Sequence, residues 1–197
     1  MKSIKFKSLV AALALSAAAS SASAAVLTFD NLSAMVYGDG APLLASMSYN
    51  ALNLTYEESG FRVTLNAPNA AAGAAHISDG TFWEQTYNWH DGMENGIDSF
   101  VTISRVDGGL FKLLGFDYYT DGSTVSADGS VLGFIQDAGT WNTALNGIAE
   151  LRLSSGAFNE LDNISLEDAD AAVPLPGTVP LLLAGLAAGA LVRRRRP

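Results

Sequence analysis

Charge is segregated along this chain, and the segregation fixes which part of it can form a domain. All 20 acidic residues lie between Asp30 and Asp170. Seven of the 11 basic residues sit at the ends: Lys2, Lys5 and Lys7 at one, Arg193, Arg194, Arg195 and Arg196 at the other. Two uncharged apolar runs, 9–19 and 179–192, lie beside those bases. Such a run partitions into lipid while the neighbouring cations stay on the side where they were made. Folding into a water-soluble core therefore falls to residues 26–172, which is enough chain for one domain.

The N-terminal end reads as a secretory signal peptide over residues 1–24. Its apolar run is eleven residues, short of the roughly 20 that a permanent helical span needs. Ala22-Ser23-Ala24 is a small-x-small site, so cleavage is expected between Ala24 and Ala25. This implies passage through the Sec export machinery and contact with signal peptidase.

At the C-terminal end, residues 171–197 hold three parts in order. Val173-Pro174-Leu175-Pro176-Gly177-Thr178 is stiff and extended, because each proline fixes its own φ and biases its predecessor away from helix. A transmembrane helix is expected over about 179–192, followed by Arg193 to Arg196 as a cytoplasmic stop. Fourteen helical residues rise only about 21 Å, against a hydrocarbon core of about 30 Å. Arginine snorkelling and bilayer thinning close that gap.

Motif, apolar helix and arginine cluster in this order resemble the PEP-CTERM sorting signals of Gram-negative bacteria. Val173, Pro174, Leu175 and Pro176 followed by the small Gly177 resemble the VPLPA-CTERM subclass. That resemblance implies processing of the tail near the prolines by an exosortase, a membrane protease-transpeptidase. It also implies an inner-membrane-anchored precursor that passes to the outer envelope, the cell surface or the medium. Two other readings of the same residues stay open. Leu175-Pro176-Gly177-Thr178 matches four positions of the LPxTG signal of sortase-anchored wall proteins, and an uncut membrane anchor has the same composition.

Between the ends, short β-rich segments recur, among them 52–56, 61–65, 100–106, 113–119, 131–136, 150–153 and 161–166. Turn signals at Gly38-Asp39-Gly40, Asp107-Gly108-Gly109, Asp121-Gly122 and Asp128-Gly129 separate them. This spacing predicts an all-β fold, a single β-sandwich over residues 25–170. The alanine-rich stretch 67–75 is expected as a loop or a short helical turn. Phe29-Asp30-Asn31-Leu32 and Leu161-Asp162-Asn163-Ile164 resemble the opening and closing segments of jelly-roll domains found ahead of PEP-CTERM tails. The resemblance implies a jelly-roll-like sandwich with first and last strands side by side.

The body keeps four basic residues, Arg62, Arg105, Lys112 and Arg152, against 20 acids, a net charge of −16. Phosphate binding needs basic patches, so nucleic acid is excluded as a partner. Without cysteine, disulfide frameworks, thiol catalysis and Cys-type metal sites are excluded too.

Three groups stand out as sites. In an extended conformation Trp83, Gln85, Tyr87 and Trp89 share a face, suited either to stacking on a polysaccharide or to filling a core. Asp91, Glu94 and Asp98, with Asn95 between them, form an oxygen-rich loop of the kind calcium takes, or a solvated acidic loop. Asp30 and Asp162 are a second calcium candidate if the terminal strands are neighbours. No catalytic motif is present, and with so many acids some carboxylate pair always exists on paper. The expectation is a non-enzymatic exported envelope or matrix protein without a cofactor. The alternatives are a lectin-like module for exopolysaccharide and, behind it, a glycan hydrolase or a sortase-anchored wall protein.

Overall fold

The computed structural model describes residues 24–32, 36–38, 40–75, 88–91, 98–154 and 158–169. The expected signal and tail helices lie outside these residues. Among the described residues every regular element is a strand, and Ala22–Asp170 is one compact unit.

Four strands show how alternation makes a core face. They are β4 (Asn53–Glu58), β5 (Phe61–Asn66), β8 (Phe100–Arg105) and β12 (Glu150–Ser154). Each buries every second side chain, as the two-residue period of a strand requires. Registers without a shift then stack the buried residues into rows. One row runs Tyr56, Val63, Ile103, Leu151; the other runs Leu54, Leu65, Val101, Leu153. Both rows are completed on β9 (Phe111–Ala127), by Ala127 and Val125 respectively. Cross-strand contacts of this kind are the unit of sheet stabilisation.

The sheet continues in antiparallel order through β9 to β13 (Phe158–Asp168), β7 (Trp89–Asp91), β6 (Gly73–Ala75) and β2 (Val36–Gly38). Beyond β4 lies β3 (Met47–Tyr49). Off this path, β1 (Ala24–Leu27) pairs with β13, and both β10 (Ser130–Trp141) and β11 (Leu145–Ile148) pair with β9. The sheet curls so that its two halves face each other. Phe61 on β5 meets Phe111 on β9 edge-on at 5.6 Å. Phe29 after β1 lies 5.8 Å from both Tyr56 on β4 and Trp89 on β7.

Two hairpins are closed by two-residue loops with positive φ at both positions, the twist that suits antiparallel strands. Ser59-Gly60 (φ 51° and 83°) joins β4 to β5, and Asp128-Gly129 (47° and 79°) joins β9 to β10. Asp107-Gly108-Gly109 is also a turn, with the Gly109 amide donating to Asp107 Oδ1 at 2.9 Å. Asp121-Gly122 corrects the sequence reading: it interrupts nothing and lies inside the 17-residue β9. There the strand leaves β13 and joins β12. Gly122 (φ 148°) permits the bend, and a Cβ on it would come within 2.9 Å of the Phe134 ring. The alanine-rich stretch is a turn, Ala70 N donating to Ala67 O, and then the strand β6.

Candidate functional site

β1 and β13 lie side by side, Leu27 opposite Ile164. Past that pairing the backbone is strained. Phe29 is fully buried at φ 56°, a conformation that costs a bulky residue on the order of 1–3 kcal/mol. Its ring is held between Tyr56 and Trp89, and its amide donates to Glu58 Oε2 at 3.2 Å. The same oxygen accepts from the Tyr56 hydroxyl at 3.1 Å. Burial pushes that hydroxyl up to about 12, and the Glu58 charge adds to the shift. Asn163 also has positive φ, at 49°.

These kinks collect carboxylates at one place. Asp162 on β13 stands directly across from Asp117 on β9, a like-charge pair that a sheet tolerates poorly. Asp117 is tied down by the Thr140 hydroxyl at 2.7 Å and by Asn163 Nδ2 at 3.0 Å. Asp162 is only 4 % exposed and accepts from the Asn163 amide at 2.7 Å. Burial pushes the Asp162 carboxyl up to about 7, and the charges of Glu160, Asp30 and Asp117 raise it further against the Asn163 amide. Loss of hydration and like-charge crowding both favour the neutral acid. Burial is the main cause, and the charge of Asp117 across the strand pair is the smallest of the three carboxylate contributions. Asp30 is exposed, and its carboxylate accepts from the Thr28 hydroxyl at 2.8 Å.

Asp30 and Asp162 are therefore brought to one end of the fold. Among the described residues no three acidic or histidine side chains converge as metal ligands. Asp98 is exposed and accepts from Asn69 Nδ2 at 2.5 Å. Asp91 lies on β7, and Glu94 is outside the described residues. Of the aromatic stripe, Trp83, Gln85 and Tyr87 lie outside them as well. Trp89 takes the core alternative: it is 0 % exposed and packs on Phe29, so its ring offers no face to a sugar.

All four basic residues of the body are engaged within it. Arg62 pairs with Glu57 at 2.7 Å, Lys112 with Glu167 at 3.1 Å, and Arg105 with Asp107 and Asp168. Arg152 lies over the Phe100 ring at 3.6 Å. Sequence reading missed Asp117, Glu160 and Glu58 as members of this end. The only signal for them is strand register, which places Asp117 opposite Asp162.

No protein-family model, no curated protein and no solved structure matches this chain.

Proposed function

We propose that this chain is a non-enzymatic, exported envelope or extracellular-matrix protein of a Gram-negative bacterium. Its jelly-roll-like body crosses the inner membrane, and its tail is cut near Pro176 by an exosortase. The observation that carries this reading is the pairing of Ala24 with Glu167. Antiparallel pairing puts the start of β1 and the end of β13 at the same end of the sheet. The signal and the tail are covalent extensions of those two points. After translocation both ends are held at one membrane, and a body whose first and last strands pair folds there without either end being drawn across it. Cleavage before Ala25 removes a single residue of β1 and leaves Ala25 paired with Leu166.

The test is made in the native cells, by fractionation. The wild-type protein is expected in the outer envelope or medium. A double Pro174→Ala, Pro176→Ala variant is expected to accumulate as an inner-membrane precursor. Equal distribution of the two proteins would refute tail processing at this motif.

A further inference from the structure

Among the described residues, the segment 24–32 is held to the body at few points. β1 pairs only with β13, and that pairing ends at Leu27. Beyond it the chain turns on itself, the Leu32 amide donating to the Phe29 carbonyl at 2.9 Å. Glu58, at the end of β4, accepts from the Thr28 and Phe29 amides at 3.3 and 3.2 Å. Burial of Leu27, Phe29 and Leu32 favours docking, whereas the positive φ of Phe29 opposes it. A short segment with one strand partner, one anchoring carboxylate and stored strain is of the kind that opens below the cost of global unfolding. Asp162 lies beside it, two residues from the Ile164 that pairs with Leu27. Its carboxyl is 4 % exposed, and among the described residues the Asn163 amide alone donates to it. The charges crowding it are Glu160 on its own strand, Asp30 in the segment and Asp117 on β9. β9 also places Tyr119 opposite Glu160, and β7 brings His90, next to the Trp89 that pairs with Leu161.

Asp162, Glu160 and Asp117 stand on β13 and β9, which the sheet fixes, whereas Asp30 rides on the segment. Lifting the segment therefore hydrates Asp162 from the β1 side and withdraws one like charge. We infer that Asp162 is a proton-operated latch on the first strand: with its carboxyl neutral, 24–32 stays docked, and when it ionises the segment opens while the rest of the sheet stays closed. The burial that disfavours the charge is lost in the opened form, so the opened form releases its proton first and a rise in pH favours opening. That dependence levels off above about 7, where the docked carboxyl itself ionises. Neither export nor tail processing is needed for the latch to work.

Hydrogen exchange at single amides of the full chain, in mild non-ionic detergent, tests the latch. The Phe29 and Leu32 amides report the segment, and the Val63 and Ile103 amides report the paired strands β5 and β8. After correction for the intrinsic rate, the segment amides should lose protection about 30-fold from about pH 5.5 to about pH 8.5, most of it below 7, for a carboxyl that ionises near 7 docked and near 3.9 opened. Low urea should leave their exchange unchanged, because a local opening exposes little surface, while exchange at Ile103 should rise with urea. Asp162→Asn should abolish the pH dependence at Phe29 and Leu32. Any one of three results overturns the latch: segment amides that follow urea as steeply as Ile103, segment protection that is the same at both pH values, or a pH dependence that survives Asp162→Asn. If Asp162→Asn fails to fold, the first two results decide on the wild-type chain alone.

Discussion

The half of the sheet built from β4, β5, β8 and β12 and the half built from β13, β9 and β10 obey different rules. In the first, every pairing runs without a register shift and buried residues stack in two unbroken rows. In the second, β13 and β10 both slip against β9, and Phe29, Asp137 and Asn163 adopt positive φ in and around these strands. The regular half also contributes neutral or ion-paired outer faces, such as Thr55 with Thr64 at 3.3 Å and Arg62 with Glu57. The irregular half holds the crowded carboxylates and the exposed apolar residues of β10. One half supplies stability, and the other spends some of it on features that a sheet does not need for folding.

Truncating the regular half should cost most. Ile103→Ala removes the middle of a buried row and is expected to destabilise by about 2–5 kcal/mol in urea unfolding, through lost burial plus a cavity. An effect near zero would mean that the rows do not carry the core.

Asp162 should give the next largest effect, with opposite sign. Its carboxyl titrates near 7 in the folded chain and near 3.9 unfolded. Below both values the two states hold the same proton, and nothing is lost. As pH rises through that window the unfolded chain releases its proton first, so wild-type stability falls and then levels off above about 7. Asp162→Asn should remove this fall and gain roughly 1–3 kcal/mol at pH 8, with little change at pH 4. Equal stability at both pH values would show that the site is not crowded.

A smaller loss is expected at the β9–β10 turn. Asp128 adopts φ 47°, and its Oδ1 accepts from the amides of Ala149 and Glu150 at 3.0 and 2.9 Å. Asp128→Ala removes the acceptor of both amides at an exposed turn and should cost about 0.5–1.5 kcal/mol. Asp128→Asn keeps an acceptor and tolerates the backbone, so it should recover most of that loss. The smallest effect belongs to β10. Phe134→Ser removes an exposed ring and should change the stability by no more than about 0.5 kcal/mol.

The regular half was largely legible in the sequence. Phe-Arg-Val-Thr-Leu at 61–65 and Phe-Val-Thr-Ile-Ser at 100–104 alternate as written, and Asp107-Gly108-Gly109 announces the turn after β8. The irregular half was legible only in outline. Asp121-Gly122 carries the same chemistry as a turn but serves as a bend, because the long-range choice of β12 after β13 decides which it is. Asp30 and Asp162 were singled out, whereas Asp117 was not, since nothing local says that residue 117 stands across from 162. Trp89 fell to the core because Phe29, more than fifty residues away, fills the space beside it. The exposure of Val131, Leu132 and Phe134 depends on a bulge that no local pattern marks.

If the body is carried outward between two removable ends, as proposed, the mature protein has lost both of them. Mass spectrometry of the intact protein recovered from its own cells reads this out. A mature chain beginning at Ala25 and ending near Pro176 is the expected result. A mature chain that still carries Arg193, Arg194, Arg195 and Arg196 would contradict it.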